Sequence, residues 1–244
     1  MRIALIGYGK MGKAIEQVAI RRGHTIAFIA DVNNRSIDDL QMEMVDIALE
    51  FTSPESAFEN VKKLMQKKIP TVCGSTGWLT KLPEIEMISN KTGTPFIHSS
   101  NYSIGVNIFF LLNKFLADIM KNLDDYNVVM KEIHHTEKRD APSGTAIKLA
   151  NDIIERIDRK KEWKLFKDQS ASDADIIIED LRSGDVPGTH HVKYESDVDD
   201  IEIIHKAHTR QGFAKGAIIT AEWIAGQKGF QTMDDFIKIL LHQK

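Results

Sequence analysis

Short apolar runs alternate with stretches of helical spacing along the first hundred residues. The runs Arg2–Ile6 and Thr25–Ala30 predict two strands, with a helix between them over 13–22 that Gly23 can end. Further strands are predicted at 47–52, 71–73 and 96–99, with helices at 54–66 and 82–89 between them. This alternation predicts an α/β fold, a parallel sheet with helices on both faces.

The pattern changes near residue 104. A long apolar helix is predicted over 104–120, and strands follow at 126–133, 175–181, 192–196 and 201–205. Because no helix follows each of these strands, a mixed, mostly antiparallel sheet is expected in a second, α+β domain. Helices at 216–225 and 233–241 are expected to return to the first domain. The predicted domains are therefore 1–103, completed by 215–244, and 104–214.

A glycine turn lies at the junction of the first predicted strand and helix. Gly7-Tyr-Gly-Lys-Met-Gly12 has the G-x-G-x-x-G spacing, and Asp31 ends the next strand. Such glycines allow a pyrophosphate to approach the amino end of the helix, and the acid can bind the adenosine ribose. The alternative is an ordinary turn of an α/β protein. The context favours a Rossmann-type domain that binds NADH or NADPH through Gly7, Tyr8, Gly9, Lys10, Met11, Gly12 and Asp31.

Two polar turns follow later strands of the same predicted sheet. They are the segments 74–78 and 99–103. Ligands of such sheets bind beyond the carboxyl ends of the strands, so both turns are candidates for contact with the nicotinamide half of the cofactor, although plain connections would look similar. The predicted contacts are Gly74, Ser75, Thr76, Ser99, Ser100, Asn101 and Tyr102.

Candidate proton donors precede a helix start in the segment from Glu132 to Ala146, which reads Glu-Ile-His-His-Thr-Glu-Lys-Arg-Asp-Ala-Pro-Ser-Gly-Thr-Ala. His134 and His135 fall where the predicted strand 126–133 ends, and Lys138 adds a positive charge in the loop that follows. This combination of residue types predicts an active site.

The helix start behind these donors is suited to an anion. Pro142 fits a first helical turn, and Ser143 or Asp140 can cap it. The unpaired N–H groups near Ser143, Gly144 and Thr145 are then expected to point outward at the positive end of the helix dipole. A carboxylate or a phosphate is expected to bind there.

Two other interpretations of the histidines were weighed. Adjacent histidines at a strand end are often one surface and one core residue, but Lys138 and the helix start make that less favoured here. A zinc site could draw on His134, His135, His190, His191, His205 and His208. No Cys or carboxylate accompanies them at a known ligand spacing, so no metal is predicted.

Composition agrees with a soluble cytoplasmic enzyme. The chain has 244 residues and a net charge of −3, no apolar run long enough to span a membrane, and no signal peptide pattern. The single Cys73 lies in an apolar run and is expected to be a buried structural thiol. The sequence contains no basic stripe of the kind that would indicate nucleic-acid binding. The basic cluster Arg159, Lys160, Lys161 and Lys164 is predicted to be a solvated helix end.

These motifs together resemble one enzyme family. The run from Glu132 to Ala146, the amino-terminal glycine turn, Gly74-Ser-Thr-Gly77 and Asn101-Tyr-Ser-x-Gly-Val-Asn107 are similar to the 4-hydroxy-tetrahydrodipicolinate reductases, also called dihydrodipicolinate reductases, of lysine and diaminopimelate biosynthesis. The resemblance covers nearly the whole chain. It implies hydride transfer from NADH or NADPH to a cyclic dicarboxylic imine, with loss of a hydroxyl as water.

The resemblance also implies residue roles. His134 is expected to be the acid/base residue and Lys138 a second proton donor and substrate contact. His135, Gly144 and Thr145 are expected to bind the substrate. A histidine with a pKa near neutral could supply the proton. The family is usually a homotetramer, assembled through the sheets of its substrate domains, so a homotetramer is expected.

The sequence departs from the family pattern in its compact glycine turn, in Ser75 at a common Thr position, and in a short link from Asp31 to Ile47. Asp31 should repel a 2′-phosphate, whereas Arg35 nearby offers a partial counter-charge. NADH or dual use is therefore expected. Another amino-acid-pathway dehydrogenase and a non-catalytic dinucleotide sensor remain as alternatives, although neither should need the paired histidine and helix-start motifs.

Overall fold

The computed structural model describes residues 1–32, 35–168, 170–209 and 211–242. The chain divides into two compact units. The first consists of Met1–Asn107 and Gln211–Lys244, and the second of Ile108–Arg210. None of the described helices is long and apolar enough to cross a membrane.

The first unit contains a parallel six-stranded sheet. Its strands are β1 (Arg2–Ile6), β2 (Thr25–Ala30), β3 (Ile47–Glu50), β4 (Thr71–Cys73), β5 (Phe96–His98) and β11 (Phe230–Gln231). They lie in the order β11-β5-β4-β3-β1-β2 and pair in parallel. The helices are α1 (Lys10–Arg21), α2 (Pro54–Gln66), α3 (Leu82–Thr92), α6 (Gln211–Ile224) and α7 (Met233–His242). The predicted α/β fold is confirmed.

The central strands of this sheet are buried along their whole length. Every residue of β3 and β4 is buried. Parallel strands with helices on both faces have no solvent-exposed side. Their sequences are therefore mostly apolar and do not alternate between apolar and polar residues. Cys73 is fully buried and donates to Glu50, as a structural thiol does.

The second unit contains a five-stranded mixed sheet. Its strands are β6 (Asn127–His134), β7 (Glu162–Leu165), β8 (Asp175–Arg182), β9 (Thr189–Glu195) and β10 (Asp200–Lys206), in the order β10-β9-β6-β8-β7. The β6–β9 and β9–β10 pairings are antiparallel, whereas β6–β8 and β7–β8 are parallel. The helices of this part are α4 (Ile104–Met120), most of which belongs to the unit, and α5 (Gly144–Ile154). A mixed sheet was expected.

The basic cluster is not the end of a helix. Helix α5 ends at Ile154, and Lys164 lies in β7, a strand that was not predicted. Lys160 is only 3% exposed, because its Nζ donates to Asn127 Oδ1 and to the carbonyl oxygens of Asp173 and Asp175. A lysine whose three donors are all satisfied can be buried. Burial lowers the pKa of this lysine.

Candidate active site

His134 is the last residue of β6 and lies on the same face of the sheet as Glu132. Side chains alternate along a strand, so residues two apart share a face. In the antiparallel pairing of β6 with β9, Glu132 lies opposite His190. The rings of His134 and His190 meet edge to face with their centres 5.1 Å apart. All three side chains are buried.

Glu132 is a fully buried carboxylate with four polar neighbours. Its Oε1 accepts from the backbone N–H of Ser143 at 2.9 Å, and its Oε2 accepts from the Ser143 hydroxyl. The same Oε2 lies 3.6 Å from His134 Nδ1 and 3.6 Å from His190 Nε2. Burial alone would raise the pKa of Glu132, but His190 and the two Ser143 donors outweigh it and hold the pKa at about 2.

The Ser143 hydroxyl determines which ring nitrogen of His190 acts as a donor. This hydroxyl has one proton, which it donates to Glu132, and it accepts from the backbone N–H of Ala146 as the N-cap of α5. Its 3.1 Å contact with His190 Nε2 is therefore a bond in which the imidazole donates. His190 carries a proton on Nε2 and supports the same cap.

The amino end of α5 offers two free donors. Ser143, and not Asp140, is the cap. The expectation that the Ser143 N–H is unpaired was wrong, because Glu132 accepts from it. Within the described residues, the N–H groups of Gly144 and Thr145 have no partner, and Gly144 is exposed. Together with the helix dipole they form an anion-binding turn. Pro142 precedes the cap, so the expected place in the first helical turn was also wrong.

Lys138 is held close to the site by the loop between β6 and α5. Its Nζ donates to both carboxylate oxygens of Asp140, at 2.8 and 2.7 Å. Arg182, at the end of β8, fixes the loop by donating to the carbonyl oxygens of Lys138 and Asp140. Arg182 also lies 3.9 Å from Glu132. His135 is half-buried and follows β6 directly.

The pKa of His134 differs from the near-neutral value that the sequence suggested. Burial lowers it to about 4. The charge of Glu132 opposes this decrease, and His190, Lys138 and Arg182 lower the pKa further. His134 is therefore neutral at pH 7 while the site holds no anion. A bound dianion would raise the pKa of His134.

Glu132, His134 and His190 form a group that could in principle hold a metal ion. One ligand atom from each lies within 4.8 Å of the others. Glu132 is the carboxylate that the zinc interpretation lacked. However, His190 Nε2 already carries the proton that it donates to Ser143, and a metal would have to displace it. Hydrogen bonds thus join Glu132 and His190 through Ser143, and His134 lies 3.6 Å from the Glu132 carboxylate.

The predicted dinucleotide turn follows β1 in the first unit. Gly7 has a φ of 90°, and a Cβ there would collide with the Phe51 carbonyl. Gly12 is equally restricted by the Gly7 carbonyl, whereas a Cβ at Gly9 would meet nothing within 4 Å. Gly9 is the N-cap of α1 and provides no side-chain cap. Backbone atoms therefore pack closely against Gly7 and Gly12, whereas the space beside Gly9 is open.

A groove of about 630 Å³ lies over this turn. Gly7, Tyr8, Gly9 and Asp31 line it, which brings four of the predicted residues together. Lys10 and Met11 begin α1. The groove is also lined by Arg35 and by polar residues that the sequence did not single out, Thr52, Ser53, Asn60 and Lys63. Sites of this size accommodate small organic ligands.

The remaining predicted cofactor residues lie after β4 and β5. A Cβ at Gly74 would collide with the Phe51 ring. The Ser75 hydroxyl is occupied by the backbone of Thr52. The Tyr102 hydroxyl donates to the Cys73 carbonyl inside the unit, so the ring supports the turn from below. The four others are half-buried or exposed turn residues: Thr76, Ser99, Ser100 and Asn101.

Sequence reasoning missed three residues of the network around His134. Glu132 was quoted in the motif without a role, and His190 and Arg182 were not connected with it. Both lie at the ends of the segment Arg182-Ser-Gly-Asp-Val-Pro-Gly-Thr-His190, which joins β8 to β9. Gly188, two residues before His190, is the one signal in the sequence, since a glycine beside a strand can mark a close backbone approach. In the structure a Cβ there would lie 3.1 Å from His134 Nε2.

Family models for dihydrodipicolinate reductases match the chain in two parts. The model of the amino-terminal part matches residues 1–102, and the model of the carboxy-terminal part matches residues 105–237. The chain belongs to the dihydrodipicolinate reductase family. This confirms the family that the motifs indicated.

Individual relatives agree with this family assignment. The 4-hydroxy-tetrahydrodipicolinate reductase of Christiangramia forsetii is 44% identical over 242 residues, which cover 98% of this chain and 99% of that protein. The enzyme of the same name from Archaeoglobus fulgidus is 32% identical over 262 residues, covering 98% and 100%.

A solved structure supports the fold. The dipicolinate-bound dihydrodipicolinate reductase from Paenisporosarcina sp. TG-14 has a TM-score of 0.76 and 22% identity, and the match covers 95% of this chain and 97% of that chain. The fold is shared more widely, since a C. glutamicum DAP dehydrogenase in complex with DAP matches with a TM-score of 0.51. The fold alone therefore does not identify the function.

Proposed function

We propose that the protein reduces 4-hydroxy-tetrahydrodipicolinate to tetrahydrodipicolinate with NAD(P)H in lysine and diaminopimelate biosynthesis. One hydride and one proton are consumed, and the hydroxyl leaves as water. The observation that carries the proposal is that Glu132 contacts both His134 and Ser143, the residue directly before the free N–H groups of Gly144 and Thr145, with Lys138 in the loop between them. The chain also matches named reductases over nearly its whole length. Proton donors beside an anion-binding turn suit a dicarboxylic imine.

The charge of the substrate and the electron movement during its reduction indicate a role for each residue of the site. Hydride delivery moves electron density toward the ring nitrogen, and the resulting enamine needs a proton, for which His134 is the acid. Gly144 and Thr145 bind one carboxylate through their N–H groups, and His135 contributes a further substrate contact. Lys138 exchanges its bonds to Asp140 for the substrate and is the second proton donor.

Binding of the substrate also charges the acid. His134 is neutral at pH 7 without an anion, because burial lowers its pKa to about 4. Two substrate carboxylates add negative charge where Lys138, Arg182 and His190 otherwise dominate. Opposite charge at close range raises the pKa of an imidazole, so the bound substrate promotes protonation of His134, the group that then donates a proton to it.

The dinucleotide is assigned to the first unit. The groove over Gly7, Tyr8 and Gly9 takes the pyrophosphate, and Asp31 binds the adenosine ribose. The turns after β4 and β5 are assigned to the nicotinamide half. Arg35 lines the same groove as Asp31 and offers positive charge to a 2′-phosphate. This mixture of charges supports the use of NADH or of both cofactors.

The test is cofactor oxidation, followed by absorbance, with the unstable substrate generated in the cuvette. Turnover with NADH or NADPH is expected in the wild type, and a large loss in the folded His134→Gln variant. Dipicolinate, which is bound to the solved relative, should compete with the substrate. A wild-type protein that binds NADH and NADPH and oxidises neither on this substrate would refute the proposal.

We also propose that the enzyme is a cytoplasmic homotetramer. The family resemblance supports the assembly, and the single buried Cys73 suits a reducing compartment. Light scattering of the purified protein checks the assembly, and a monomer mass would contradict it.

A further inference from the structure

Glu132 is a charged group for which the reaction as proposed has no use. It is 0% exposed, and its carboxylate is held ionised by its neighbours. An ion removed from water in this way costs several kcal/mol unless it is paired and hydrogen-bonded. Its position two residues before His134 on the same strand face suggests that it acts on the acid.

The first contact of Glu132 is with the acid itself. His134 Nδ1 lies 3.6 Å from Glu132 Oε2 and has no hydrogen-bond partner within the described residues. Nδ1 thus faces a negative charge at a distance that a small movement of the ring would turn into a hydrogen bond. A carboxylate in this position fixes the ring orientation and favours the imidazolium.

The second contact is with the anion-binding turn. Ser143 gives Glu132 both its backbone N–H and its hydroxyl proton. The same hydroxyl caps α5 at Ala146 and accepts from His190 on β9. One carboxylate therefore joins the end of β6, the first turn of α5 and β9. The N–H groups of Gly144 and Thr145 follow directly after the residue that Glu132 holds.

We propose that Glu132 is a positioning residue that sets the proton donor His134 and the anion-binding turn at Gly144 and Thr145 in one fixed arrangement. This rests on the proposed function, in which those groups act on the same substrate. Glu132 does not touch the substrate. It acts through His134 on the proton and through Ser143 on the carboxylate contact.

The charges around His134 determine what removal of Glu132 would do. His190 on β9, Arg182 on β8 and Lys138 in the loop are cationic or can become so, and Asp140 is paired with Lys138. Glu132 is the buried negative charge among them. Without it the imidazolium is less stable, so activity that needs protonated His134 should be lost at lower pH as the pH rises.

The experiment compares Glu132→Gln with Glu137→Gln, which removes an exposed carboxylate from the same segment. For Glu132→Gln we expect kcat to fall by about 10- to 100-fold and the alkaline limb of the kcat profile to move down by about one pH unit. NADH affinity and the circular dichroism spectrum should be unchanged. Glu137→Gln should match the wild type throughout.

The kcat, the KM and the pH profile of Glu132→Gln decide whether Glu132 is a positioning residue. A folded Glu132→Gln with wild-type kcat, KM and alkaline limb overturns the inference. Lower activity with an unmoved limb and an unchanged KM also overturns it, since Glu132 would then have only a structural role. No turnover by the wild type would instead refute the proposed function.

Two further variants decide the outcome if Glu132→Gln does not fold. Ser143→Ala removes the hydroxyl but keeps the carboxylate, whereas Ser143→Thr keeps a hydroxyl. We expect Ser143→Ala to raise the substrate KM by about tenfold and Ser143→Thr to restore it largely. A wild-type KM in folded Ser143→Ala would overturn the part of the inference that runs through the Ser143 hydroxyl, since the backbone N–H of residue 143 still reaches Glu132 in that variant.

Discussion

The backbone of Gly188 packs against the imidazole of His134. A Cβ at this position would lie 3.1 Å from Nε2 and 3.4 Å from Cδ2 of that ring, and 3.8 Å from Cε1 of His190. The backbone there has a φ of 156°. The strand that carries His190 therefore begins where only a glycine leaves His134 in its place.

Gly188→Ala should displace the His134 ring by a few tenths of an ångström. We expect kcat to fall by about tenfold, because misplaced catalytic groups lose rate steeply. Gly184→Ala is the control, since Gly184 also has a positive φ, of 47°, but a Cβ there would meet nothing within 4 Å. Equal kcat in the two folded variants would show that the contact with His134 is unimportant.

Direct removal of the site groups should separate their roles. His134→Gln should lower kcat by about 10² to 10⁴ with little change in substrate KM, which is the range for lost acid/base help. Lys138→Ala should lower kcat and raise KM, because it loses a substrate contact as well. Thr145→Pro removes the backbone N–H assigned to the carboxylate, at a first-turn position where a helix tolerates proline, and should act mainly on KM, by about 1 to 3 kcal/mol. Near wild-type kcat in folded His134→Gln would end its assignment as the acid.

Two of the three glycines of the dinucleotide turn, Gly7 and Gly9, should respond differently to alanine. Gly7→Ala should lower the free energy of unfolding by about 2 kcal/mol or more, because of its φ of 90° and the Phe51 carbonyl. Gly9→Ala should leave stability within about 0.5 kcal/mol but weaken NADH binding, since its methyl group enters the space assigned to the pyrophosphate. Urea unfolding and cofactor fluorescence measure both. Wild-type NADH affinity in Gly9→Ala would argue against this placement.

Asp31→Ala should weaken NADH more than NADPH. The carboxylate is assigned to the ribose of NADH and repels a 2′-phosphate, so its loss removes a contact in one case and a repulsion in the other. Fluorescence titration of both cofactors gives the affinity ratio. Asp39→Ala, an exposed aspartate outside the residues that line the groove, serves as the control. An unchanged ratio would remove Asp31 from the site.

Stability should fall as the pH is lowered from about 6.5 to about 4. The pKa of His134 in the folded protein is about 4, below its ordinary value of 6.5, so the unfolded chain takes up the proton first. This amounts to about 3 kcal/mol at most. A further loss follows below about 4.5, because the pKa of folded Glu132 is about 2.

His134→Gln should flatten the first of these two decreases. Urea unfolding at pH 7, 5.5 and 4.5 tests it. The half-buried His98 and His205, whose pKa values burial also lowers, contribute equally to both proteins. An identical slope in variant and wild type would contradict the pKa of His134.

The strands and helices with regular patterns were predicted well. Helices α2 and α4 and strands β2 and β4 have the expected bounds, because helical spacing or a continuous apolar run marks each of them. Strand β7 was missed because its sequence Glu-Trp-Lys-Leu is short and half charged, and β11 because it has two residues. Their pairing partners, and not their composition, make them strands.

The active site could be predicted only where its residues are close in sequence. The segment from His134 to Thr145 is continuous, so its donors and its helix start could be interpreted together. The partnership of Glu132 with His190 depends on the register of β6 against β9, which no local pattern reveals. A slip of one residue would place the two side chains on opposite faces of the sheet.

Glu132 accepts from the backbone N–H of Ser143, and this affects which anions the turn at the start of α5 selects. Within the described chain the anion-binding turn offers two N–H donors, from Gly144 and Thr145, instead of three. Two donors match the two oxygens of a planar carboxylate, whereas a tetrahedral phosphate would leave more of its oxygens without a partner. The turn is therefore expected to discriminate by the shape of the anion as well as by its charge, and inorganic phosphate should be a poor competitor of the dicarboxylate.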